Sequence, residues 1–112
     1  MTRMKGFNPN RRMPAPHHGE IWMADSLPFE DGIHSKNRPV VIKKRDGNIF
    51  LCYKCTSQES TFRERYKVMD LEEAGLTKYS FIDYEPILIP REKLSYKLGS
   101  ISEEDMESFG KL

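Results

Sequence analysis

The chain has 112 residues, enough for one domain that buries one core and too few for a second catalytic domain. Eighteen Lys and Arg against seventeen Asp and Glu leave a net charge of +1, so overall charge alone announces no nucleic-acid partner. No apolar run approaches the roughly 18 residues that a membrane span needs, and no apolar stretch follows the N-terminal charges, so a cytoplasmic protein with no membrane association is expected.

Charge is unevenly distributed. Residues 100–112 hold four acids and one Lys, a net of −3 that leaves +4 on the remainder. Basic residues cluster at 3–12, 36–38, 43–45 and 63–67, which predicts a positive face with an acidic edge.

Residues 1–18, with Asn8, Pro9, Asn10, Pro14 and Pro16, lack periodicity and have little to bury; they are expected to form a flexible arm, with residues 19–112 as the single domain. Residues 20–25 then alternate as a strand, Ile21 and Met23 on one face and Glu20, Trp22 and Ala24 on the other. Asp25, Ser26 and Pro28 end it. The following loop carries Glu30, Asp31, His34 and Lys36 and leads to Arg38, and Pro39 fixes φ at the mouth of a second strand, 40–42. Acids, a base and cations held between two rigid strands mark this loop as the place to look for chemistry.

Residues 43–48 are predicted as a turn, because Asp46-Gly47 accepts the positive φ of a tight hairpin. The third strand spans 49–56, with apolar groups on both faces, as a central, covered strand requires. Cys52 and Cys55 lie in it. An extended segment sets their Cα atoms about 10 Å apart on opposite faces, beyond the ~7 Å reach of a disulfide, so packing of reduced thiols is expected and no metal site or cofactor. Residues 57–65 are polar and irregular, with Phe62 turned inward. For the next stretch a strand at 66–70 and a helical turn at 71–76 stopped by Gly75 compete with a single helix over 61–74, and the strand-plus-turn assignment fits the alternation better. Residues 78–89 are strand-like, with a bend at Glu85-Pro86. After a turn or short helix at Arg91-Glu92-Lys93, Ser102 caps a C-terminal helix reaching about Phe109, with Glu103, Glu104 and Asp105 in its first turn and Ile101 stapling to Met106. Five or six short strands with little helix until the end predict a mainly β fold, a small barrel.

Two anchors, Gly19-Glu20-Ile21-Trp22 and Arg38-Pro39-Val40-Val41, occur in the order and at the spacing of the MazF/PemK toxins, and the chain resembles that family. The resemblance extends more loosely to Cys55-Thr56-Ser57, to Asp83-Tyr84-Glu85-Pro86 and to the tail from Leu98 to Glu104. It implies an SH3-like barrel (MazF/Kid/CcdB-like) with a short C-terminal helix, assembled as a homodimer. It further implies the toxin of a type II toxin-antitoxin pair, a sequence-selective, metal-independent endoribonuclease that cuts single-stranded RNA through a 2′,3′-cyclic phosphate. Its partners would be RNA and a cognate antitoxin, with DNA bound only through the antitoxin complex. A non-catalytic small barrel that binds nucleic acid or protein is the alternative.

By position, Arg38 matches the family's catalytic Arg and Thr56 its active-site Thr. The guanidinium fork suits two phosphate oxygens, and a hydroxyl at a strand end can donate to a third. His34, whose ordinary pKa near 6.5 suits a general base, stands in a loop that departs from the family's pattern by about a residue; it binds RNA, acts as base, or is a plain loop residue. Asp83 or Glu85 takes the place of a family acid, or serves structure alone. Lys36, Lys43, Lys44 and Arg45 are candidate RNA contacts. Trp22 and Tyr84 suggest stacking platforms, although a lone Trp in a barrel's first strand more often fills the core.

Overall fold

A computed structural model describes residues 15–28, 33–58 and 63–112. The strands are β1 (Glu20–Pro28), β2 (Ser35–Asp46), β3 (Ile49–Thr56), β4 (Arg65–Lys67), β5 (Phe81–Pro90) and β6 (Leu94–Ser100); the helices are α1 (Leu71–Ala74) and α2 (Glu103–Phe109). The six strands form one antiparallel sheet in the order β4-β5-β3-β2-β1-β6. The fold is therefore mainly β, as the alternation predicts.

The sheet is covered on both faces, so one core becomes two. Ile21, Val41, Tyr53, Cys55 and Ile82 form the first, closed by Ala74 of α1 and by Ile101 and Phe109 of the C-terminal segment. The second contains Trp22, Ala24, Val40, Ile42, Phe50, Cys52, Ile89 and Leu94, and among the described residues no helix contributes to it. In a flat sheet β5 and β6 would lie four strand spacings apart, about 19 Å. Ile89 and Leu94 share a core because a 3-10 turn, Arg91–Lys93, joins the two strands and the sheet curls around this face.

Across the remaining gap the contact is backbone against backbone. A Cβ on Gly75 would lie 2.0 Å from the Leu98 carbonyl oxygen, and one on Gly99 2.4 Å from that of Glu73. Gly75 also takes φ 74 as the C-cap of α1. Two glycines thus let α1 press directly on β6.

Several boundaries differ from expectation. Residues 43–46 are strand, not turn: Asp46 pairs with Ile49 and only Gly47 and Asn48 turn the chain. Lys36 and Ser35 pair with Leu27 and Pro28, so the strands on either side continue into the predicted loop. Glu30, Asp31 and Phe62 lie outside the described residues, as do positions 1–14 of the expected arm. Of its described end, Pro16 is buried and His17 and His18 are exposed; Gly19, the first residue of the domain, donates its N–H to the Ile42 carbonyl at 2.8 Å. β6 is a strand that composition did not reveal. Pro86 sits at an irregularity in the β3–β5 register, beyond the stretch where β4 covers β5, so it breaks no ladder.

α2 begins and ends as its sequence dictates. The Asp105 N–H donates to the Ser102 hydroxyl, and Gly110 closes the helix at φ 74. Asp105 does more than complement the helix dipole. It is fully buried, and its carboxylate accepts hydrogen bonds from Tyr66, from the backbone N–H groups of Met69 and Asp70 (both 2.9 Å), and from Ser102. One side chain thereby ties the C-terminal helix to β4 and to the segment entering α1.

Candidate functional site

Arg38 and Thr56 stand at neighbouring strand ends. Val40 pairs with Lys54, and the same register carried two residues further sets Arg38 across from Thr56 on one face of the sheet. On the other side Arg38 pairs with Ala24. Directly beyond Ala24, β1 gains an extra residue, and Ser26 takes φ 50, an uncommon value for a residue with a side chain. Three side chains hold this bulge. The Ser26 N–H donates to Asn37 Oδ1 at 3.0 Å, Ser95 donates to Asp25, and Lys93 Nζ reaches the Ser26 carbonyl at 3.3 Å. The residue immediately before Arg38 is therefore anchored, which limits how far the start of β2 can move.

Both residues border a cleft of about 250 Å³. Met23, Pro39 and Cys55 contribute its apolar part, Lys36, Asn37, Thr56 and Ser57 one side, and the connection from α1 to β5, with Leu76, Thr77, Lys78 and Ser80, the other. Strand ends meet here, so residues of both alternations take part. Among the described residues, three cations border the cleft (Lys36, Arg38 and Lys78), together with four hydroxyls and no carboxylate. Such a lining suits an anion that accepts several hydrogen bonds, as a phosphodiester does.

Thr56 Oγ1 accepts from the Gln58 N–H at 3.2 Å, which orients the hydroxyl and leaves its own O–H to donate. Cys55 is not a nucleophile: burial, with a smaller contribution from Cys52, pushes its thiol up to about 12. Cys52 lies in the other core, its thiol likewise pushed up by burial to about 12. Among the described residues no group of three or more His, Cys, Asp and Glu side chains is placed to hold a metal ion.

The other candidates divide by location. Lys36 borders the cleft and is exposed. His34 is exposed one residue before β2 and is not among the residues bordering the cleft. Asp83 and Glu85 form a separate cluster on β5: Arg63 lies 3.6 Å from Asp83 and 3.3 Å from Glu85, and Arg65 lies 3.9 Å from Asp83. Asp83, nearly fully buried, also accepts the Glu85 N–H. Asp83 and Glu85 thus serve to hold Arg63 and Arg65 against β5. Lys43, Lys44 and Arg45 lie at the far end of β2, about 20 Å from Arg38 at the usual strand rise. There Lys43 donates to the Tyr53 hydroxyl and Arg45 to the Gly47 carbonyl.

The chain matches no protein-family model and no curated protein. The arrangement around the cleft therefore stands on its own geometry.

Neither suggested stacking platform is available. Trp22 is 2 % exposed, its indole N–H bonded to Glu20, and Tyr84 stacks on Phe109 at 5.0 Å. Sequence reasoning missed Leu76, Thr77, Lys78 and Ser80, which reach the cleft only because α1 folds back onto β6; no local pattern announces that placement.

Proposed function

We propose that this protein is a metal-independent endoribonuclease of the MazF/PemK kind, the toxin of a toxin-antitoxin pair. The observation that carries the reading is that Arg38 and Thr56 border one cleft, whose lining among the described residues is cations, hydroxyls and apolar groups with no acid. The second anchor motif sets Arg38 at the family's catalytic Arg, and the looser match at Cys55-Thr56-Ser57 sets Thr56 at its active-site Thr. The curled, mainly β sheet with its C-terminal helix suits the SH3-like barrel of that family.

The reaction needs the 2′-oxygen to attack the adjacent phosphorus while the bond to the 5′-oxygen breaks. The 2′-OH gives up a proton, the 5′-oxygen gains one, and a 2′,3′-cyclic phosphate and a free 5′-OH remain. Negative charge grows on the non-bridging oxygens in the transition state, where Arg38 and the Thr56 hydroxyl stabilise it more than in the ground state. Lys36 and Lys78 hold the flanking backbone. In this account the active unit is a cytoplasmic homodimer, and an antitoxin with an acidic segment silences it by occupying the cations at the start of β2, competing with RNA in a salt-dependent way.

Two substitutions test the assignment. Arg38→Ala should abolish turnover with the fold intact, whereas Arg45→Ala, at the far end of the same strand, should change only salt-dependent RNA binding. Equal small losses for both would remove Arg38 from the chemistry. A non-catalytic binding module, the other reading, would bind RNA or protein through the same cleft without cutting.

A further inference from the structure

The face of the sheet that carries Arg38 and Thr56 continues onto a second surface. Thr56 pairs with Phe81, and Phe81 with Lys67. The Val68 N–H donates to the Ser80 carbonyl at 2.9 Å, which carries the pairing of this hairpin past the end of β5 and sets Tyr79 beside Met69. Alternation puts Tyr79 on the face of Phe81 and Thr56. The Lys67 ammonium, 4.9 Å from the centroid of the Tyr79 ring, agrees with that orientation, since Lys67 is the partner of Phe81.

Core packing does not account for this ring. Tyr79 is 69 % exposed and Met69 76 %, whereas Tyr53, Tyr66 and Tyr84 all pack on Phe109. Tyr79 also stands between Lys78 and Ser80, both of which border the cleft. It is an exposed ring with the Lys67 ammonium over one side, next in sequence to the cleft residue Lys78. Two strand spacings and two residues separate it from Arg38, about 12 Å, too far for the reacting phosphate and right for a neighbouring nucleotide.

We propose that Tyr79, Lys67 and Lys78 form a nucleotide subsite beside the cleft: a base of single-stranded RNA stacks on the side of the ring away from Lys67, Lys67 holds a phosphate of that nucleotide, and Lys78 holds the backbone where it enters the cleft. Every base has a π-face, so the subsite adds affinity with little sequence preference. This inference rests on the RNA reading given above.

The test is fluorescence anisotropy of the full chain with a labelled single-stranded RNA made non-cleavable by 2′-O-methylation. Tyr79→Ala should weaken binding by about 5- to 150-fold, the usual range for losing one base stack. Tyr79→Phe should bind like the wild type, because stacking needs the ring and not the hydroxyl. Lys67→Ala should flatten the salt dependence, by about 0.7 in the slope of log K against log salt for each phosphate of a single strand that is no longer neutralised. Since Tyr79 is exposed, all variants should melt with the wild type. Wild-type affinity in Tyr79→Ala, or an equal loss in Tyr79→Phe, overturns the subsite and leaves the RNA reading standing. A wild-type chain that binds no RNA overturns both, and tight binding of an acidic peptide that Tyr79→Ala weakens would assign the surface to a protein partner instead.

Discussion

Replacing Asp105 by alanine should be among the most damaging single changes in this protein. Asp105 is 0 % exposed, and its carboxylate accepts four hydrogen bonds: from the Tyr66 hydroxyl, the Met69 and Asp70 N–H groups at 2.9 Å and the Ser102 hydroxyl at 3.1 Å. Removing the acceptor strands those donors, each at a cost of about 1–3 kcal/mol before water or side-chain movement relieves part of it. A net loss of about 3–5 kcal/mol follows, a large fraction of the ~5–15 kcal/mol that holds a domain folded. At about 4 °C per kcal/mol for a chain of this size, the melting temperature should fall by about 12–20 °C. Thermal denaturation followed by circular dichroism measures it, with Glu104→Ala, exposed in the same helix turn, as the comparison; that variant should stay within about 0.5 kcal/mol of the wild type. If Asp105→Ala melts with Glu104→Ala, the node does not hold the helix to the sheet. The consequence reaches function, because Met69 and Asp70 lead through α1 to the cleft wall at Leu76 and Lys78.

Three further outcomes are expected. Burial alone would raise the Asp105 pKa, but the hydrogen bonds from Tyr66, Asp70, Met69 and Ser102 outweigh it and hold it below 3.8. The unfolded chain therefore binds this proton more readily, so the stabilisation is complete above the unfolded value and lost as pH falls through the folded one; the stability gap between wild type and Asp105→Asn should narrow below about pH 4 in urea titrations at several pH values. Gly99→Ala should cost about 3 kcal/mol or more, since its Cβ would meet the Glu73 carbonyl at 2.4 Å, whereas Gly47→Ala, with nothing within 4 Å of its Cβ, should cost only the about 1–2 kcal/mol of its positive φ; similar melting temperatures would show that α1 does not press on β6. Cys52 and Cys55, buried with thiols pushed up to about 12, should react with a thiol reagent only after unfolding, and rapid labelling of the native chain would contradict their place in the two cores.

The most legible elements were those whose signals are local. β3 declared itself by apolar residues on both faces between Gly47-Asn48 and Ser57, and its predicted span, 49–56, is the observed one. α2 was legible from Ser102 and its acids, and the stop of α1 from Gly75. β6 was missed although Leu94, Tyr96 and Leu98 alternate with Ser95, Lys97 and Gly99; none of these residues is β-branched and Gly99 is a poor strand former, and the segment pairs as a strand along β1. Asp105 read as a helix-dipole acid, since only the folded chain brings Tyr66 and the Met69–Asp70 backbone to it. For the site, the sequence supplied Arg38 and Thr56 through their motifs, and the register brings them together. It could not supply the far wall, which depends on α1 meeting β6 through two glycines. Trp22 fills a core, as a lone Trp in a barrel's first strand more often does, whereas Tyr84, suggested as a stacking platform, is held against Phe109 by a core formed from distant residues.

The most direct test of the central claim is to incubate the purified chain with single-stranded RNA in excess EDTA and to analyse the new ends. The predicted result is cleavage that EDTA leaves unchanged, with 2′,3′-cyclic phosphate and 5′-hydroxyl ends, lost in Arg38→Ala and sharply reduced in Thr56→Val. Cleavage that stops on chelation and returns with magnesium, or that persists in Arg38→Ala, would contradict it.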